Sequence, residues 1–157
     1  MNEINKANVM FISPQNERTF VTNILAHLSM LRRIATIELC YIDEILPGED
    51  IQKNIKKKME IGDMFVLILS SDFFAEDYTF NLLEELKIKY QQNTIEIMPI
   101  LAYSCIWDYD EFLKKLQMFP TDKIPFAERE NRESAYREVV HHILNTAKKI
   151  TQSKNLN

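Results

Sequence analysis

The residues best equipped for chemistry fall into two groups. Glu84 and Glu85 are adjacent carboxylates inside an expected helix, and Ser13, Pro14, Gln15, Asn16 and Arg18 crowd a short polar stretch after the first apolar run. Carboxylates supply fixed negative charge, amides donate and accept hydrogen bonds, and a guanidinium grips phosphate or carboxylate with two parallel donors. Nucleophilic hydrolysis is disfavoured, because Ser13 and Ser70 lack a histidine to activate them. His141 and His142 fall on the last expected helix, away from both groups. Three histidines and no Cys/His cluster speak against a metal site. Cys40 and Cys105 form no C-x-x-C pair and read as free thiols of a cytoplasmic core. Gly48 and Gly62 are the only glycines. Rossmann and Walker loops need several, because backbone must approach phosphate closely, so neither can be built here.

These groups need a scaffold, and the apolar pattern supplies one. Residues 8–12 (NVMFI) read as a buried strand ending at Ser13-Pro14. Across residues 17–31, Phe20, Ile24, Leu28 and Leu31 recur at helical spacing. Ile37–Tyr41 predicts a second strand, broken by Pro47-Gly48. Residues 50–61 predict a helix with Ile51, Ile55 and Met59 on one face, stopped by Gly62. Met64–Leu69 (MFVLIL) is apolar throughout, as a central parallel strand covered on both faces must be. A helix over 80–90 and a strand over 95–101 follow. Residues 107–119 read as loop and short helix, with Trp107 expected to pack on the last helix. Residues 124–126 suit a short edge strand, where Pro125 is tolerated. The last helix is expected over 131–150, with Tyr136, Val139, Val140, Ile143, Ala147 and Ile150 turned inward. Residues 1–150 thus form one domain, and the polar residues 151–157 are expected to fray or to begin a linker.

Strands alternating with helices give an α/β flavodoxin-like three-layer fold, a five-stranded parallel sheet of order 2-1-3-4-5 with helices on both faces. Ligands of such sheets bind beyond the carboxyl ends of the strands where the order reverses, between strands 1 and 3. Ser13, Pro14, Gln15 and Asn16 line one wall of that crevice, and Ser70, Ser71 and Asp72 the other. The 157 residues, 46% apolar and 27% charged, are ordinary for a single globular domain. A net charge of −4 gives no general reason to bind nucleic acid or an anionic membrane. The Lys53–Lys58 cluster reads as the solvated face of its helix. The longest apolar runs are far too short to span a bilayer, and the polar N-terminus carries no secretory signal.

Four segments, in order, resemble the Toll/interleukin receptor (TIR) domain family of bacterial type. They are FIS at 11–13, ILPGED at 45–50, IGDMFVLILSSDFFAEDY at 61–78, and 98–101 with Trp107, Phe112 and Leu116 through Pro120. The resemblance spans about residues 7 to 148. It implies one of two activities. Some TIR domains cleave NAD at the nicotinamide–ribose bond, taking NAD as substrate rather than cofactor, and bacterial members often serve in anti-phage defence. Others are non-catalytic modules that signal by stacking on one another. Family enzymes usually act as oligomers.

In the enzymes one glutamate on the helix after the third strand is essential, because its carboxylate stabilises the positive charge that builds on the ribose. Counting from Tyr78-Thr79, that place holds Leu82 or Leu83; counting from the aromatic Phe80, it holds Glu84, with Glu85 competing. At 100° per residue, only one of the two glutamates can face the crevice. The resemblance also implies an aspartate where Ile42 stands, with Asp43 one residue on. Gln15 and Asn16 suit a ribose or an amide, and Arg18 suits a phosphate; otherwise Asn16 is a helix N-cap and Arg18 a solvated residue. NAD glycohydrolase with Glu84 as the key carboxylate is the first reading. Assembly through the Pro47-Gly48 loop and neighbouring helices is the second.

Overall fold

A computed structural model describes residues 5–34, 37–92 and 94–156, and within these the side chains of 31, 32 and 34 are left aside. The described elements are β1 (Ala7–Ile12), α1 (Arg18–His27), α2 (Ser29–Ile34), β2 (Ile37–Tyr41), α3 (Ile51–Ile61), β3 (Met64–Leu69), α4 (Ser71–Ala75), α5 (Asp77–Gln91), β4 (Glu96–Leu101), α6 (Glu111–Lys115) and α7 (Glu133–Leu156). Short 3-10 turns sit at Gln15–Glu17, Trp107–Tyr109 and Phe126–Glu128.

The four strands form one parallel sheet of order β2-β1-β3-β4. Every residue of β3 is buried, which a strand flanked on both edges and covered on both faces requires. Side chains alternate between the faces. Val9, Phe11, Met64, Val66 and Ile68 meet α1 and α7 on one side, whereas Met10, Ile12, Phe65, Leu67 and Leu69 meet α3, α4, α5 and α6 on the other. On α7, Tyr136, Val139, Ile143 and Ala147 are buried, with Val140 and Ile150 half-buried against them.

The sequence punctuates these elements with identifiable chemistry. Asp50 caps α3 by accepting from the Lys53 amide at 2.9 Å, and Ser70 Oγ caps α4 by accepting from the Phe73 amide at 3.2 Å. Gly48 adopts φ +85°, the left-handed conformation that favours glycine. Gly62 ends α3 for a different reason, since a Cβ there would run into the Phe65 ring.

Four expectations change. The fifth strand is absent from residues 124–126; Lys123 turns left-handed and Phe126 enters a 3-10 turn. Beside β4 stands Phe119 alone, donating its amide to Pro99 O at 3.0 Å and accepting from the Leu101 amide at 2.7 Å. Both groups of one strand residue point to the same edge, so Pro99, lacking an N–H, removes the next outward donor and blunts that edge. Second, residues 151–156 do not fray but continue α7, with Lys154 Nζ held by Asp63 Oδ2 at 2.6 Å. Third, Trp107 packs on the α3/α5/α6 side of the sheet rather than on α7. The expected 17–31 helix is also divided at Leu28, whose own side chain is fully buried; Leu31, on its expected stripe, lies outside the described side chains.

Candidate functional site

Beyond the carboxyl ends of β1 and β3, where the topology places a crevice, the polar groups largely satisfy one another. After β1 the chain turns at Pro14, whose carbonyl accepts from the Glu17 amide at 3.0 Å. Asn16 does not cap α1. Its Nδ2 reaches across to Asp72 Oδ2 on α4 and ties the two walls together. Ser70 is committed to capping α4, Ser13 is buried, and Gln15 is exposed. Arg18 keeps its side chain 43% exposed while its Nη2 pairs with Asp43 Oδ2 at 2.7 Å and its guanidinium lies 4.7 Å from the centroid of the Tyr41 ring.

Glu17, Tyr41 and Tyr78 carry weight here that composition and spacing alone did not assign, and Asp72, already expected on the crevice wall, gains a partner. Glu17 is buried, and burial, helped by the nearby Asp72 charge, pushes its carboxyl above the usual range. Asp72 receives the Asn16 amide, and Tyr41 stacks beneath Arg18. The Tyr78 hydroxyl is buried with no hydrogen-bond partner among the described residues; burial, with Asp43 adding to it, drives its pKa well up. The available signal was position. Glu17 and Tyr41 close the first two strand ends, and Tyr78 begins the helix that leaves the third.

The two candidate glutamates part company. Glu84 is an exposed residue whose Oε1 binds Lys87 Nζ at 2.7 Å, and the same ammonium binds Asp110 Oδ2 at 2.7 Å. Burial works against that ammonium, but the bonds to Asp110 and Glu84 outweigh it and raise its pKa. Glu84 therefore faces α6. Glu85 instead lines a groove of about 480 Å³ between α3 and α5, together with Ile55, Lys56, Met59, Tyr78 and Leu82. Helix α5 starts at the strand ends and runs away from them, so at 1.5 Å per residue Glu85 sits about 10 Å beyond Tyr78 along the axis. One turn beyond Tyr78, on the groove side, stands Leu82, only 5% exposed, and Leu83 beside it is fully buried. Phe80 is partly exposed on the helix surface and joins no polar cluster.

The order of elements, the Pro-Gly loop after β2 and the segment from β3 into α5 match a known domain in sequence as well as shape. The TIR domain family matches residues 9–119. The chain belongs to the TIR domain family. A protein of Sinorhizobium fredii (strain NBRC 101917 / NGR234), described as uncharacterised protein y4lF, is 28% identical over 127 residues. That match covers 80% of this chain but 39% of the relative, so the TIR chain spans about two-fifths of the longer protein. Among solved structures, the TIR domain of the Toll-related receptor TRR-2 from Hydra magnipapillata superposes with a TM-score of 0.58 at 21% identity, covering 86% of this chain and 96% of that one. The TIR domains of the activated Roq1 resistosome give a TM-score of 0.53 at 13% identity, covering 90% and 84%. These likenesses share the fold. No helix among the described residues is long and apolar enough to cross a membrane.

Proposed function

We propose that this chain is a non-catalytic TIR module that works by homotypic assembly. The observation that carries the reading is on α5. The position one turn past Tyr78 is the buried Leu82, and the two glutamates are engaged elsewhere, Glu84 with Lys87 and Glu85 along the α3/α5 groove. Cleaving the nicotinamide–ribose bond requires negative charge beside the developing oxocarbenium ion, and an aliphatic side chain supplies none. Arg18 pairs with Asp43 and Asn16 with Asp72, contacts that brace the crevice walls and support the assembly reading. The loop around Pro47-Gly48 instead offers exposed Leu46 and Ile51 to a partner. The resistosome TIR domains, similar in fold, belong to an assembled complex.

One observation favours NAD cleavage as the second reading, namely the buried Glu17 carboxyl beside Asp72 in the crevice wall. Incubating the purified chain with NAD at high protein concentration, and assaying nicotinamide, separates the two. The assembly reading expects no release above the buffer rate while light scattering reports self-association. Nicotinamide release that is abolished in Glu17→Gln or Glu85→Gln, with the fold retained, would overturn it.

A further inference from the structure

The groove between α3 and α5 has an apolar floor of Ile55, Met59 and Leu82 and walls of opposite charge, Lys56 on α3 and Glu85 on α5. Neither charge makes an ion pair among the described residues, and both are exposed. Elsewhere on the same molecule, the turn after β4 carries Ile106 and Tyr109, 70% and 81% exposed, the second among the most exposed large apolar side chains described. This knob is firmly based. Trp107 is half-buried against the core, the Tyr109 and Asp110 amides bond back to Ile106 O and Trp107 O at 3.2 and 3.0 Å, and Asp110 caps α6. It too is flanked by opposite charges, exposed Asp108 in the turn and Lys123, whose ammonium lies 5.8 Å from the Trp107 ring centroid.

A rigid apolar projection costs energy in water, as does an open apolar groove, unless each meets the other. Both surfaces belong to one chain, and α5 separates them. We infer that the α3/α5 groove of one copy receives the Ile106–Tyr109 turn of a second copy, with Lys56 opposite Asp108 and Glu85 opposite Lys123. The side chains fit the roles: tyrosine and isoleucine bury large area at low entropic cost, and the opposed charges fix the orientation. The contact is heterologous. Each copy therefore keeps one unfilled groove and one unfilled knob, and the assembly extends rather than closing as a symmetric dimer. This contact rests on the assembly reading and names its surfaces.

Sedimentation velocity over a concentration series tests it. The parent chain forms species that grow with concentration. Tyr109→Ala weakens association at least tenfold, and Lys56→Glu and Asp108→Lys each do the same alone. Mixed in equal amounts, the two charge variants restore association, since each groove then meets a knob of opposite sign in both directions along the chain. If the parent assembles but all three variants match it, or the mixture stays as weak as its components, the groove-and-knob contact is overturned while self-assembly stands. A parent that remains a monomer throughout the series overturns both.

Discussion

The two flanks of α5 handle charge in opposite ways. Toward α6, Glu84, Lys87 and Asp110 form a closed chain of 2.7 Å contacts, and Asp110 also accepts the Phe112 and Leu113 amides at 3.0 Å each. Toward α3, Lys56 and Glu85 make no ion pair among the described residues and stand at the rim of an apolar groove. A charge already satisfied inside its own chain has little left to offer a partner, whereas an unpaired one beside buried aliphatic surface still has its interaction to make. Lys89 Nζ still ties α5 to the Met59 carbonyl of α3 at 2.6 Å, so the contrast lies in Lys56 and Glu85 at the groove rim.

This contrast breaks most visibly at the helix's inner face, which serves both flanks. Leu83→Ala removes a fully buried side chain and is expected to cost about 2–5 kcal/mol in urea unfolding. A cost well under 1 kcal/mol would mean that α5 is not seated on the sheet as described. The closed flank is tested next by Asp110→Ala, which removes the cap of α6 and the partner of Lys87, for about 1–2 kcal/mol at neutral pH.

The pH dependence gives that second variant its sign. Burial tends to raise the Asp110 carboxyl, but its bonds to Lys87 and to the α6 amides win and hold it below the usual value. A depressed folded pKa stabilises above the unfolded value, about 3.9, and the benefit is lost as pH falls through the lower folded value. The gap between parent and Asp110→Ala should therefore narrow as unfolding is measured from pH 7 down through this acid range. A gap that stays constant would remove Asp110's charge from the account. The smallest effect is expected at Glu84→Gln, whose exposed pair with Lys87 is worth no more than about 0.5 kcal/mol. Nicotinamide release in the parent that disappears in this variant would show Glu84 serving as more than a surface partner.

Much of this molecule could be read from its residues. The unbroken apolar run of Met64–Leu69 required a central strand, Gly48 and Asp50 marked a turn and a cap, and the helical stripe of α7 carried its buried face openly. Spacing is enough for such elements because burial selects residue type position by position. Pro99 was a legible warning against a fifth strand, but its force depends on which edge of β4 its missing N–H faces, and that direction is set by pairing with β3. The continuation of α7 beyond residue 150 depends in the same way on Asp63, 91 positions earlier, which gives Lys154 its partner.

The candidate site was less legible. The sequence by itself determined the family resemblance, the parallel order of the sheet and the short list of polar residues at the crevice. It also held the choice between Leu82 and Glu84 as two ways of counting along one helix. Only the tertiary structure decided that Asn16 crosses to Asp72 instead of capping α1, that Arg18 is taken by Asp43, and that Glu84 and Glu85 leave α5 toward different neighbours. The physical reason is common to all three. A side chain's type states which bonds it can make, but which partner claims it depends on what the fold brings within about 3 Å, and those partners lie on other elements or on the far side of a helical turn.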